Sequence, residues 1–348
     1  MRTILAALIL GFSQAHADNF AQAIPMPSAD IAEDTTVSRI ALGSCFHPSQ
    51  DGAIFDEITA AKPDLFLFIG DNVYAQDESP DPALKSLRQA YARLAAVESF
   101  SNLRRQIPVL TVWDDHDYGL NEAGGDWPGK HFSESLYEYA WAIDEEDARV
   151  SRPGVYFERV LGRDGRTLQL IFLDTRFFRT PLTINTEPSG GRYLQSQDEN
   201  QSFLGTTQWL WLEQRLDRPA DLTIIITSNQ LIADGHGWEA WRTMPKERER
   251  LYRLIEDRDN IIVVSGDRHA AAIYERDGLL EMTASSLNRP LTSFVPNPGI
   301  EPGPYRIGDP YFLANYGLID IDWDAGSVSL NIMDGNSETV QTATAHFR

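Results

Sequence analysis

Three short clusters in the 348-residue chain crowd carboxylates beside donors of other kinds: Gly70-Asp71-Asn72-Val73-Tyr74, Asp114-Asp115-His116-Asp117 and Gly266-Asp267-Arg268-His269. In the first, a carboxylate with a phenol three residues on can turn two oxygens toward one cation. In the second, three carboxylates beside an imidazole repel one another unless a metal or a cationic group offsets them. In the third, the Asp-x-His spacing lets two alternating side chains address neighbouring positions, as ligands of adjacent metals would. Each cluster alone has an ordinary structural explanation. An aspartate at a strand end more often caps a helix or forms a turn, an acidic turn is often simply solvated, and a loop histidine is usually satisfied locally. Together with Cys45, the only cysteine in the chain, they point to one metal site, because chance placement at successive strand ends is implausible.

Positioning these groups falls to short apolar runs that each end in a polar cluster. Ile40–Leu42 precedes Cys45, Leu65–Ile69 precedes Asp71, and Val109–Trp113 precedes Asp114. Leu170–Leu173 leads into Asp174-Thr175-Arg176, Thr223–Thr227 into Ser228-Asn229-Gln230, and Ile261–Val264 into Asp267. Continuous apolar runs of this length read as strands buried on both faces in an α/β fold, with functional groups just past the strand ends. Helical patterns are expected over residues 55–61, 84–103, 133–142, 206–216 and 246–257, with a plausible N-cap at Thr206. Three tail segments, 317–323, 328–333 and 340–347, separated by turns, predict a closing β-meander. Residues 285–310 are rich in proline and glycine and predict a long loop that either lines the site or covers a sheet edge.

Composition bounds the rest. With 42% hydrophobic and 23% charged residues the chain is an ordinary folded protein. A net charge of -21 argues against general nucleic-acid binding and leaves a puzzle for any enzyme of anionic phosphates, which bound metal ions would resolve. Residues 1–17 read as a secretory signal peptide, with an apolar run from Ile4 to Phe12 and Ala15-His16-Ala17 as the cleavage site. Export by the secretory machinery to a periplasmic or extracellular location follows. A loose leader over 18–36 and one catalytic domain over 37–348 are expected, with no transmembrane segment. A single cysteine in an oxidising compartment can form no intramolecular disulfide, so Cys45 is either a small buried apolar residue or a ligand.

The ordered series GSCF (43–46), GDNVY (70–74), WDDHD (113–117), LDTR (173–176), SNQ (228–230) and SGDRH (265–269) resembles the calcineurin-like metallophosphoesterases, and within them the alkaline phosphatase D, or PhoD-like, branch. The resemblance implies a four-layer αββα sandwich of two mixed sheets flanked by helices. It implies two metals bridged by Asp71 and a hydroxide that hydrolyses a phosphate ester. Cys45, Tyr74 and His269 would complete the first metal's donors, a thiolate and phenolate set suited to Fe(III). Asp115, Asn229 and Asp267 would complete the second, an oxygen-rich set suited to calcium, or alternatively manganese, magnesium or zinc. The usual opening Asp-x-His is replaced here by Cys45, and the usual middle histidine by Asn229.

His116, without a metal duty in this scheme, is assigned to leaving-group protonation or transition-state hydrogen bonding. Arg176 is expected either to clamp phosphate oxygens or to pair with a nearby acid. Asp117 is expected either to orient His116 or to cap a turn, and Arg268 to face away from the site. The expected substrate is a phosphate ester, with a phosphodiesterase or phospholipase-D-type activity as the alternative to a monoesterase; loops 118–135, 177–205 and 285–310 decide between them and carry no substrate motif. A non-catalytic exported calcium-binding protein is the remaining alternative, although structural calcium rarely needs cysteine, histidine and tyrosine.

Overall fold

The computed structural model describes residues 23–79, 81–187 and 191–347. The proposed signal peptide lies outside the described residues. All six apolar runs form strands: β1 (Arg39–Gly43), β2 (Leu65–Ile69), β3 (Val109–Val112), β5 (Leu168–Phe172), β6 (Leu222–Ile226) and β7 (Ile261–Ser265). They divide between two sheets. One has the order β13-β12-β11-β1-β2-β3, in which β11 (Asn315–Asp322), β12 (Ser327–Asp334) and β13 (Thr339–His346) are the expected meander. Within it β1, β2 and β3 run parallel, while β11 joins β1 antiparallel. The meander is therefore half of a sheet rather than an appendage.

The second sheet has the order β10-β8-β9-β7-β6-β5-β4, with β4 (Phe157–Leu161), β8 (Ala271–Arg276), β9 (Leu279–Ala284) and β10 (Arg306–Tyr311) added to the parallel β5-β6-β7 centre. Alternation along its strands shows why the sequence runs are apolar throughout. Leu170, Phe172, Ile224, Ile226, Ile262 and Val264 join the core shared with the first sheet. Their neighbours Ile171, Ile225, Ile261 and Val263 pack instead with Trp209, Leu212 and Leu251 of the two helices Gly205–Leu216 and Pro245–Ile255. On the far side of the first sheet, Phe55 of helix Ile54–Ala60 packs its ring 6.1 Å from that of Phe66 and 4.8 Å from Phe100. Helix, sheet, sheet and helix make the four-layer αββα architecture.

Three expectations are corrected. The helix expected over 84–103 is two helices, Lys85–Ala95 and Glu98–Gln106, because Val97 is extended (φ -69°, ψ 112°) and turns Phe100 and Leu103 into the core. Thr206 does not cap its helix, which starts at Gly205; the Ser202 hydroxyl accepts from the Gly205 N–H at 2.9 Å, and Glu247 accepts from the Phe203 N–H at 3.0 Å. The described part of the leader is not loose. Met26 is buried and its N–H donates to the Ala140 carbonyl at 2.8 Å, and the Ala29 N–H donates to the Arg104 carbonyl at 2.7 Å, which fastens the segment across two helix ends.

Candidate active site

Two glycines let the loops after the strands meet. Gly70 has φ +106°, and a Cβ there would lie 2.7 Å from Cβ of Asp114 and 3.2 Å from Cβ of Ser228. A Cβ on Gly266 would lie 2.7 Å from the Ser44 hydroxyl. The segments after β1, β2, β3, β6 and β7 thus touch at one end of the sandwich. Cys45 (φ 57°), Asp71 (φ 50°), Asp267 (φ 71°) and His269 (φ 54°) all occupy the left-handed region, sparsely populated by residues with a Cβ. Four strained residues in one cluster mark a functional site.

Asp71 is at its centre. Its Oδ2 accepts from the Tyr74 hydroxyl at 3.0 Å and lies 3.5 Å from Cys45 Sγ, while its Oδ1 accepts the His116 backbone N–H at 3.3 Å. Donor atoms of Cys45, Asp71 and His269 lie within 4.8 Å of one another, and so do those of Asp71, Asp115 and His116 and those of Asp114, Asp115 and Asp267. Burial raises the pKa of Asp71 and Asp267 well above the usual carboxylate range, and neighbouring carboxylates raise both further. Burial also raises Cys45, and lowers His269 to about 4. A cluster of anionic donors that resists ionisation without a counter-charge fits a cation.

Two further observations test that fit. Asn229 is fully buried, and neither its Oδ1 nor its Nδ2 has a hydrogen-bond partner in the protein, as befits a side chain whose oxygen is kept for a ligand. His269 directs Nδ1 at the Arg289 carbonyl, 2.6 Å away, so Nδ1–H donates and Nε2 keeps its lone pair for a metal. The donor set fits metal ions.

His116 lines the cleft above this cluster, with Nδ1 3.2 Å from the Gln76 amide and 3.3 Å from the Ala75 carbonyl. Arg176 and Asp117 do not reach the cleft. Arg176 is fully buried; its Nε donates to Asp114 Oδ1 at 2.6 Å and its Nη1 to Glu239 Oε2 at 2.8 Å, so it pairs with acids rather than clamping a phosphate. Asp117 accepts the Asp114 N–H and the Asn72 side-chain amide, each at 2.5 Å, and so caps the turn instead of orienting His116. Against expectation, Arg268 lines the cleft and donates to both Glu301 oxygens at 3.0 and 3.1 Å.

Residues missed from the sequence come mostly from outside the motifs. Asp114 has one oxygen on Arg176 and the other unpartnered; burial lifts its pKa and Arg176 pulls it partway back, leaving it at about 6. Its position inside the acidic cluster was a signal. Ser285 contacts Cys45 Sγ at 3.2 Å and accepts the His269 N–H at 3.0 Å. Arg289 lays its guanidinium over the Tyr74 ring, 4.2 Å from the centroid. Neither carries a signal in its local sequence. Segment 285–310 does line the cleft, through Leu291, Phe294, Val295 and residues 298–301.

The fold and the clustered donors together fit a metal-dependent phosphoesterase. Residues 155–296 match the family model described as PhoD-like phosphatase. Among solved structures it is similar to PhoD, with 16% identity and a TM-score of 0.68 over 93% of this chain and 70% of that one. It is also similar to GAP50, the anchor in the inner membrane complex of Plasmodium, with 12% identity and a TM-score of 0.57 over 90% of each chain. A third is the purple acid phosphatase PPD1 from yellow lupin (Lupinus luteus) seeds, with 11% identity and a TM-score of 0.55 over 93% of this chain and 55% of that one. At these identities the structural likenesses speak for the fold. Among curated proteins no sequence relative matches. Among the described residues no helix is long and apolar enough to cross a membrane.

Proposed function

We propose that the chain is an exported phosphoesterase whose single catalytic domain, residues 37–348, holds two metal ions that share Asp71. Cys45, Tyr74 and His269 are the remaining donors of one ion, and Asp115, Asn229 and Asp267 those of the other. The reading is carried by Asp71, the one carboxylate common to a thiol–imidazole group and a carboxylate–imidazole group of potential ligands. Thiolate and phenolate donors favour Fe(III) at the first position, and the oxygen-rich second set favours calcium, manganese or magnesium over zinc.

Bound cations would neutralise the phosphoryl oxygens and supply a nucleophile from water at neutral pH, which answers the charge puzzle posed by an acidic protein. The chain's own groups do the rest. Ser285 and the Arg289 carbonyl orient Cys45 and His269. Burial lowers the His116 pKa, so its ring is neutral at working pH. Nδ1 is engaged by the Gln76 amide and the Ala75 carbonyl, which leaves Nε2 to hydrogen-bond in the transition state, where the phosphorus–alcohol bond breaks as water's oxygen bonds to phosphorus and the water's proton passes to the departing oxygen. The buried Arg176 holds Asp114, next to Asp115 in the chain, without touching substrate.

The test is elemental analysis of purified protein with a panel of nitrophenyl phosphate monoester and bis(nitrophenyl) diester. Wild-type protein should carry metal and hydrolyse at least one. Asp71→Asn should lose both metal and turnover while keeping the wild-type circular dichroism spectrum; retained turnover in that variant would defeat the assignment. Export is checked separately by N-terminal sequencing of the secreted protein, which should begin at Asp18.

A further inference from the structure

The cleft above the donor cluster has a volume of about 640 Å³, far more than a phosphoryl group needs. Its two halves differ in chemistry. The floor carries Asp71, Asp115, Asp267 and His269, whereas one wall carries Trp238, Phe294, Val295 and Ile300. Those four apolar side chains are 44%, 49%, 41% and 59% exposed, although they sit together in a concave surface. Exposed apolar side chains gathered in the lining of one cleft mark a binding face. Phe294 connects wall to floor, its ring edge-on to His269 with centroids 4.9 Å apart. A group leaving a phosphorus atom held beside His269 would therefore meet the wall first.

Charge narrows the occupant further. The arginines that line the cleft are both engaged by carboxylates, Arg192 with Glu122 at 2.8 Å and Arg268 with Glu301 at 3.0 Å. Glu239 adds a further acid to the lining. Beyond the proposed metals, no described residue of the lining offers uncompensated positive charge to a second phosphate. Resting on the phosphoesterase reading above, we infer that the cleft selects esters with a single phosphoryl group and an uncharged, apolar alcohol, which lies along Trp238, Phe294, Val295 and Ile300.

The experiment uses the metal-loaded full protein with n-alkyl phosphate monoesters and methyl n-alkyl diesters, ethyl to hexyl. Their leaving alcohols are of nearly equal acidity, so chain length reports burial. Each added methylene should raise kcat/KM about twofold at half burial and roughly fourfold at full burial, about 15-fold or more from ethyl to hexyl. Phe294→Ala, and separately Trp238→Ala from a different stretch of the chain, should flatten that dependence. 1,6-Hexanediol bisphosphate, which carries a second anion to the wall, should be turned over at least about tenfold less efficiently than hexyl phosphate, in line with the several-kcal/mol cost of like charge at a desolvated surface. A flat wild-type series, a slope untouched by both variants, or preference for the bisphosphate would each overturn the inference. Failure to hydrolyse any ester after metal loading is a different outcome, and would overturn the phosphoesterase assignment of the site instead.

Discussion

Replacing Arg176 by methionine should destabilise the protein more than any surface change could. The guanidinium is fully buried, with Asp114 Oδ1 2.6 Å from Nε and Glu239 Oε2 2.8 Å from Nη1. Removing one partner of a buried ion pair leaves an uncompensated charge and costs about 3–5 kcal/mol. Two features set the lower end as the expectation. Glu239 keeps a second cation, Arg179, whose Nε lies 3.0 Å from Oε1. Asp114 stands at about 6 even with Arg176 present, so in the variant it takes up a proton near neutral pH and limits the loss. A loss of about 3 kcal/mol corresponds to a Tm decrease of roughly 6–12 °C at 2–4 °C per kcal/mol. Differential scanning calorimetry on chelator-treated protein measures it free of metal effects. Arg176→Lys, which keeps the charge but not the two-pronged geometry, should fall between. Asp114→Asn combined with Arg176→Met should lose less than the sum of the single changes, the non-additivity a contacting pair requires. A melting point within about 2 °C of wild type in Arg176→Met would refute the reasoning.

Three further outcomes are expected. Ser285→Ala removes the hydroxyl that contacts both Cys45 and His269, so competition with a chelator should show metal affinity about 10- to 100-fold weaker; unchanged affinity would remove Ser285 from the support of the site. His116→Ala should slow alkyl esters far more than nitrophenyl esters, because a poor leaving group builds more charge on the departing oxygen and depends more on a hydrogen bond there; equal slowing would give His116 another role. Burial lifts Glu134 from its ordinary 4.5 to about 8. Between those values the folded chain holds a proton that the unfolded chain has lost, so stability falls as pH rises through the window and levels off above it. Glu134→Gln should therefore gain in Tm relative to wild type from pH 5 to pH 9, and a constant difference would contradict the shift.

The strands and the chemistry were legible for one reason. A strand buried on both faces must be apolar at every position, so Leu65–Ile69 or Ile261–Ser265 stands out in the sequence, and polar residues directly after it are visible as an interruption. Cys45, Asp71, Asp115, Asn229, Asp267 and His269 each follow such a strand. Tertiary structure alone decided which of them meet. Strands β1, β2 and β3 belong to one sheet and β5, β6 and β7 to the other, and only the packing of the two brings Asp267 to Asp114 and Asp115.

Side-chain direction was equally hidden. Alternation correctly spaced Asp267 and His269 but turned Arg268 the wrong way, since positive φ at both flanking residues breaks the alternation of an extended chain. Arg176 and Asp117 looked catalytic because their types are, yet each is consumed by partners that a linear reading cannot count. Ser285 and Arg289 carry no local signal, because their work is done on atoms 16 to 20 residues away, at His269. Residue type and burial pattern are properties of the chain and can be read along it, whereas partnership is a property of space and exists only once the two sheets have closed on each other.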